Sequence, residues 1–273
     1  MPEQPRFTRA ELALAAENAI YDYSWTYEGE RETLLGGGHA LVHLLDVPWF
    51  GNDGFAGGLR FDEGEAERQL DAVLTEAGDA ERHFVWITGP STRPANVGEL
   101  LAARGLAPVI FWEGLALEDI SWPYPDPADV VVEQLSSDNV DAYVTLCLRD
   151  TADEVVRAER LAAANWLIEQ GQREAQVFVA YVAGQPAGCS VLRVESNGIA
   201  YLRNAFTSSE FRNRGVYIAM VGARLAYARE AGCTAAVVQA QRQSSSPILK
   251  KRGFIKLCEL VGHERGGAAL AMG

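Results

Sequence analysis

The clearest alternation of apolar and polar positions lies in the second half of the chain. QVFVAYV, beginning at Gln176, is β-branched and aromatic and predicts a strand. AGQPAG supplies a tight turn, and CSVLRVES predicts the antiparallel return. Asn197-Gly198, a hairpin signal, then leads into a third strand, IAYLRNAFT. Ahead of this meander, Ser136 or Ser137 can cap a helix running to about Arg149, and TADEVVRAERLAAANWLIEQ predicts a second helix. Behind it come the helix GVYIAMVGARLAYAREAG, the apolar run TAAVVQAQ, a turn at SSSP, the short helix ILKKRG and a last strand, FIKLCELVG. An antiparallel meander feeding a strand–loop–helix unit is an α+β pattern.

The first half repeats the layout. EGEAERQLDAVLTEAG has a helical pattern and HFVWIT reads as a strand. PSTRP reads as a turn, NVGELLAARG as a helix and LAPVIFWEGLAL as a strand. LLAARGL and ILKKRGF hold matching places, with Gly105 and Gly253 positioned as C-cap glycines. A repeat displaced by about 145–150 residues indicates domain duplication rather than a solenoid. The first helix is marked by a capping box, Thr8 to Glu11. The stretch TLLGGGHALVHLLDVPWFGNDGFAGGLR is glycine-rich, and its pattern does not place strands. WPYPDPAD, beginning at Trp122, carries three closely spaced prolines and can continue neither a helix nor a central strand. It reads as a linker, dividing the chain into 1–125 and 126–273.

With 273 residues, 48% hydrophobic and 22% charged, the composition is that of a soluble globular protein. No apolar run approaches the ~20 residues of a membrane span, and MPEQPRFTRAEL lacks the features of a signal peptide. Cys147, Cys189, Cys233 and Cys258 fall singly, which argues against zinc and a disulfide framework and suits a cytoplasmic protein. No metal is expected. The net charge of -13 lies in the first half, where 8 Lys+Arg face 21 Asp+Glu; the remainder carries 16 of each. No basic face for nucleic acid emerges. The acidic half reads as solvated surface or as a docking face for a cationic substrate.

One stretch runs against helix electrostatics. In FTSSEFRNRGVYIAM, Arg212 and Arg214 stand where a helix begins, and no acid follows before Ala228. The helix dipole disfavours cations there by ~0.3–1 kcal/mol each. The same helix start offers N–H groups to an anion, phosphate above all. Gly215 would let a ligand approach the backbone, so Gly215→Val is expected to weaken binding while sparing the fold. The alternative is two arginines lying across a surface helix start. No GxGxxG or GxxxxGK[ST] motif is present.

The strand–[QR]xxGx[GA]–helix order, the hairpin YVAGQPAG, the approach TSSEFRNRG and the segment KKRGF resemble the GNAT acyltransferase superfamily over about residues 130–265. FVWITGPSTRPANVGELLAARGL resembles the divergent first unit of tandem GNAT proteins. The resemblance implies two GNAT-like units in tandem, each a mostly antiparallel sheet flanked by helices, with acetyl-CoA as cosubstrate. It implies that Ala205, Phe206 and Thr207 offer backbone groups to the pantetheine arm. The loop of Arg212, Asn213, Arg214, Gly215, Val216 and Tyr217 would wrap the pyrophosphate. The matching helix of the first copy begins among Asp62, Glu63, Glu65 and Glu67, which would repel a pyrophosphate, so that copy is expected to be degenerate.

Two departures bear on catalysis. Tyr217 replaces the motif's last small residue, its ring either crowding the loop or packing inward. Leu249 stands where YEKLGF-type segments carry a proton-donating tyrosine. The general base is unassigned; Tyr201, on the strand leading to the motif, is the candidate. Glu195, His39, His43 and His263 read more readily as structural. Trp25, Tyr27, Trp49, Trp112 and Trp166 could line an acceptor cleft, although core packing is the commoner fate of such residues. The expected activity is acetyl-CoA-dependent N-acyltransfer to a small-molecule amine or a peptide N-terminus, by a monomer or homodimer. The alternative is a non-catalytic acyl-CoA sensor or scaffold that has lost the tyrosine.

Overall fold

The computed structural model describes residues 7–19, 30–45, 54–79, 84–121, 127–148, 154–170, 175–194 and 197–265. Among them, no helix is long and apolar enough to cross a membrane. Packing divides the chain into two compact units.

The first unit comprises Thr8–Ala116 and Gln239–Gly273. It opens with α1 (Arg9–Asn18), whose capping box forms: the Glu11 N–H donates to Thr8 Oγ1 at 3.2 Å, and the Thr8 N–H to Glu11 Oε2 at 2.7 Å. The glycine-rich stretch folds as strands β1 (Glu30–Leu35), β2 (Ala40–Leu45) and β3 (Gly54–Gly57). Alternation does not reveal them because β3 is buried throughout and the β1–β2 turn is made by left-handed Gly36, Gly37 and Gly38. There follow α2 (Ala66–Ala77), β4 (Phe84–Thr88), α3 (Val97–Ala103) and β5 (Leu106–Leu117). Helix α2 buries Ala66, Leu70, Val73, Leu74 and Ala77, a one-sided stripe, onto a core containing Leu59, Trp86 and Leu101. Gly105, at φ +80°, follows α3 as expected.

The short helix α7 (Ser245–Lys250) and the final strand β11 (Ile255–Arg265) complete this unit. The strand order is β1-β2-β3-β4-β11-β5, antiparallel except for β3/β4. Residues 239–273, which the proline run assigns with 126–238, are therefore grouped by packing with the first unit. Strand β11 pairs with β5 from Ile255↔Ala116 to Arg265↔Leu106 and with β4 from Val261↔Thr88 to His263↔Trp86, filling the slot between them.

The second unit comprises Leu117–Val238 with Met1–Phe7. Its elements are β6 (Val130–Gln134), α4 (Val140–Leu148), α5 (Glu154–Glu169), β7 (Gln176–Val182), β8 (Gln185–Val194), β9 (Ile199–Thr207), α6 (Val216–Glu230) and the start of β10 (Ala235–Gln241). The order is β10-β9-β8-β7-β6, with only β9/β10 parallel. Both units are thus α+β with mostly antiparallel sheets. Helix α4 starts later than predicted. Asn139, not Ser136 or Ser137, precedes it: its side chain accepts from the Ser136 N–H at 2.8 Å and donates to the Gln134 carbonyl at 3.0 Å, which keeps the serines in the preceding turn.

Candidate functional site

Strand β9 is regular for only half its length. It pairs in parallel with β10 from Ile199↔Ala235 to Leu202↔Val238, and the pairing stops there while β9 runs on to Thr207. On its other edge the antiparallel register with β8 shifts between Val191↔Arg203 and Cys189↔Phe206, so that Asn204 and Ala205 share the place opposite Ser190. Asn204 adopts φ +40°. This is a β-bulge, the device that bends one strand away from its neighbour. Gly188 permits it: a Cβ there would lie 2.5 Å from the Phe206 carbonyl oxygen.

Helix α6 anchors the bent segment through a residue the sequence analysis missed. Arg224 is 1% exposed. Its Nε donates to the Met220 carbonyl at 3.1 Å, and its Nη1 donates to the carbonyls of Val191 and Arg203, each at 3.2 Å. Those two carbonyls belong to the last paired residues before the bulge. Burial lowers the Arg224 pKa to about 10, with Tyr217 acting in the opposite direction. The available signal was periodicity: Val216, Met220 and Arg224 recur every four residues, placing an arginine on the buried face.

Beyond β9 the chain makes one 3-10 turn, Ser209–Phe211, whose Phe211 is buried. Arg212 is extended, Asn213 is left-handed at φ +62°, and Gly215 at φ +84° is the N-cap of α6. The helix has no side-chain cap and no acid in its first turn. Arg212, Asn213 and Arg214 are exposed. The Arg214 guanidinium lies 5.7 Å from the Phe211 ring centroid, and among the described residues neither arginine pairs with a carboxylate. Val216 is buried, and Tyr217 packs inward against the core cluster of Val130, Ala180, Phe211 and Met220 rather than crowding the loop. Ala205 is exposed; Phe206 and Thr207 are half-buried. The segments 205–207 and 212–217 are joined by only four residues, so fold and sequence bring them together. One expectation changes: the Cβ direction of Gly215 is occupied by Pro127, 2.9 Å away, so the chain itself requires the glycine.

The candidate catalytic and cleft residues are distributed over both units. Tyr201 lies four residues before Ala205, ~13 Å along an extended strand. It is buried, its hydroxyl accepts from Asn197 Nδ2 at 3.3 Å, and the Arg193 guanidinium lies 5.0 Å from its ring centroid. Glu195, Trp25, Tyr27 and Trp49 fall outside the described residues. His39, His43 and His263 belong to the first unit. His39 Nδ1 contacts the Arg60 carbonyl at 2.6 Å; His263 Nε2 meets Thr88 Oγ1 at 3.0 Å, and burial lowers its pKa. Leu249 is completely buried on α7. Trp112 is buried and Trp166 half-buried.

The corresponding region of the first unit is built differently. Strands β3 and β4 pair through Ala56↔Trp86. Beyond that point Leu59 and Phe61 pair with Arg93: the Arg93 N–H donates to the Leu59 carbonyl at 3.0 Å, and the Phe61 N–H to the Arg93 carbonyl at 2.8 Å. The loop from Gly89 to Ala95 thus pairs with the chain beyond β3. Glu17 holds this loop through the Ser91 N–H at 2.9 Å and hydroxyl at 2.7 Å. A cavity of about 360 Å³ lies over the loop, but Arg93 in its wall already donates to the Pro90 and Thr92 carbonyls. At the start of α2, Asp62 exchanges hydrogen bonds with Gln69, and Glu65 pairs with Arg68.

Comparison with known proteins agrees with this geometry. Residues 137–254 match the acetyltransferase (GNAT) family. No curated protein matches the chain. Among solved structures, a GCN5-related N-acetyltransferase from Kribbella flavida is similar with a TM-score of 0.64 at 17% identity, covering 96% of this chain and 97% of that one. A GCN5-related N-acetyltransferase from Sphaerobacter thermophilus gives 0.59 at 12% identity, covering 95% and 93%. A tandem GNAT protein from the clavulanic acid biosynthesis pathway gives 0.57 at 15% identity, covering 93% and 86%. Residues 137–254 are therefore a GNAT acetyltransferase-family domain, in a chain with the fold of a tandem GNAT protein.

Proposed function

We propose that the protein is an N-acyltransferase that takes an acetyl group from acetyl-CoA and passes it to a small-molecule amine or a peptide N-terminus. One observation carries this reading: β9 leaves β10 after Leu202, bulges at Asn204 and leads into a helix start with two exposed arginines and no acid. The residues fit the donor. Ala205, Phe206 and Thr207 present a strand edge beyond the end of the β10 pairing, suited to the amides of a pantetheine arm. The loop from Arg212 to Tyr217 offers helix N–H groups and two cations to a pyrophosphate.

In the transfer, the amine lone pair attacks the thioester carbonyl carbon. The C–N bond forms, the C–S bond breaks, the amine gives up a proton, and CoA departs as the thiolate. This chain's contribution is to bind and orient the donor, which can supply several kcal/mol of the barrier reduction. Tyr201, the candidate base, accepts a hydrogen bond from Asn197. No metal takes part in this reading.

The identity of Leu249, at the place where the resemblance implies a proton-donating tyrosine, favours a second reading, a non-catalytic acyl-CoA sensor or scaffold, because a leucine side chain has no proton to give the departing thiolate. Following free thiol while acetyl-CoA is incubated with an amine panel separates the two. Thiol release above the enzyme-free rate establishes transfer. CoA binding without release, across the panel, leaves the sensor.

A further inference from the structure

We infer that Arg224 is a positioning residue for the donor: through the carbonyls of Val191 and Arg203 it fixes the bulge that aims Ala205–Thr207 at the pantetheine arm. The inference rests on the acetyl-CoA reading above.

The geometry is specific. Val191 and Arg203 face each other across β8 and β9 and form the last regular pair before the shift. A single nitrogen, Nη1, reaches both carbonyls at 3.2 Å, while Nε is tied to the Met220 carbonyl of its own helix. The guanidinium therefore clamps the two strands to α6 where their register changes. Immediately beyond it, Asn204 takes φ +40°, a conformation that costs a non-glycine residue free energy and persists only where its surroundings enforce it. On the far side of the bulge, Gly188 fits beneath the Phe206 carbonyl with no room for a Cβ. The bulge is thus held from both ends.

The buried arginine is costly in itself. Its three described partners are neutral carbonyls, and a buried cation without a carboxylate is disfavoured relative to an apolar side chain of similar volume. Met, of comparable length, would pack against Val216 and Met220 without that cost. An arginine at this position is accounted for by what it fixes. The same helix carries the loop 212–217 at its N-terminus, so α6 sets both the pyrophosphate end and, through Arg224, the pantetheine end of the proposed donor site.

The test separates the two ends of the ligand. CoA and 3′-phosphoadenosine 5′-diphosphate, which has the pyrophosphate but no pantetheine, are titrated calorimetrically into wild type and Arg224→Lys, with melting curves for each. Lysine keeps the charge but cannot reach two carbonyls while also bonding Met220. The expected result is about a tenfold loss of CoA affinity with nucleotide affinity unchanged within twofold. Equal loss for both ligands, or loss for neither, overturns the positioning role and leaves the acetyl-CoA reading standing. A wild type that binds neither ligand overturns the acetyl-CoA reading itself. If Arg224→Lys does not fold, Gly188→Ala, which pushes on the Phe206 carbonyl from the other end, is expected to show the same selective loss; equal effects on both ligands there overturn the inference.

Discussion

An ideal Cβ on Gly215 would lie 2.9 Å from Pro127 Cγ and 3.0 Å from Pro127 Cβ. Pro127 therefore packs on the loop that opens α6, and the glycine serves the fold before it serves any ligand. Gly215→Val is predicted to lower stability by about 2 kcal/mol or more, from the left-handed backbone at φ +84° and the contact together. Chemical denaturation measures this. A variant as stable as wild type would show that the Pro127 contact is absent in solution.

Arg212 and Arg214 give a cleaner probe, because both are exposed and neither pairs with a carboxylate among the described residues. Arg212→Ala and Arg214→Ala are each predicted to weaken CoA binding about three- to tenfold, or ~0.7–1.4 kcal/mol, with melting temperatures near that of wild type. The losses should shrink as salt is raised towards ~0.5 M. Salt-independent losses would point to packing rather than to charge.

Glu65, beside the first turn of α2, is the matching control. Glu65→Gln removes the exposed pair with Arg68, worth ~0.5 kcal/mol or less, and is predicted to leave CoA affinity unchanged. A change in affinity would give the first unit a part in binding that its backbone bridge at Arg93 argues against.

Glu113 on β5 tests the first unit's stability. It is buried, accepts from the Ser246 hydroxyl, and pairs with Lys250 at 2.5 Å and Lys256 at 3.5 Å. Burial pushes its pKa up, but the hydrogen bonds from Lys250 and Ser246 outweigh this and hold it at about 2. A carboxylate whose pKa is depressed on folding contributes stability above its ordinary value of 4.5, lost as pH falls towards 2. Both lysines are about two-fifths exposed, which limits the contribution to about 1–2 kcal/mol. Glu113→Gln should therefore destabilise at neutral pH, and its difference from wild type should close as the pH is lowered. A pH-independent difference would mean that shape, not charge, matters there.

The meander β7–β9 and the start of α6 were legible because alternation, Asn197-Gly198 and misplaced arginines are local signals. What escaped was set at longer range. Strands β1 and β2 meet at a turn of left-handed glycines, Gly36 to Gly38, and β3 is buried throughout, so side-chain alternation marks none of them. The grouping of β11 with the first unit depends on a slot between β4 and β5 that no local pattern announces. The start of α4 moved past Ser136, whose hydroxyl accepts from the Asp138 N–H at 3.3 Å in the preceding turn, while Asn139 accepts from that turn and donates to β6 at once. Arg224 carries one local signal, its four-residue spacing from Val216 and Met220 on the buried face of an apolar helix. For the first copy only the acids at the start of α2 were legible; the backbone bridge of Leu59 and Phe61 to Arg93 is not encoded in side-chain chemistry.

The most direct test of the central claim, that one CoA binds at the β9–α6 junction, is a calorimetric titration of CoA into the wild-type chain. The account predicts a single saturable site per chain, lost or strongly weakened in the Arg212→Ala/Arg214→Ala double variant while the fold is retained. A flat titration at millimolar CoA, two equivalent sites per chain, or an undiminished site in the double variant would contradict it.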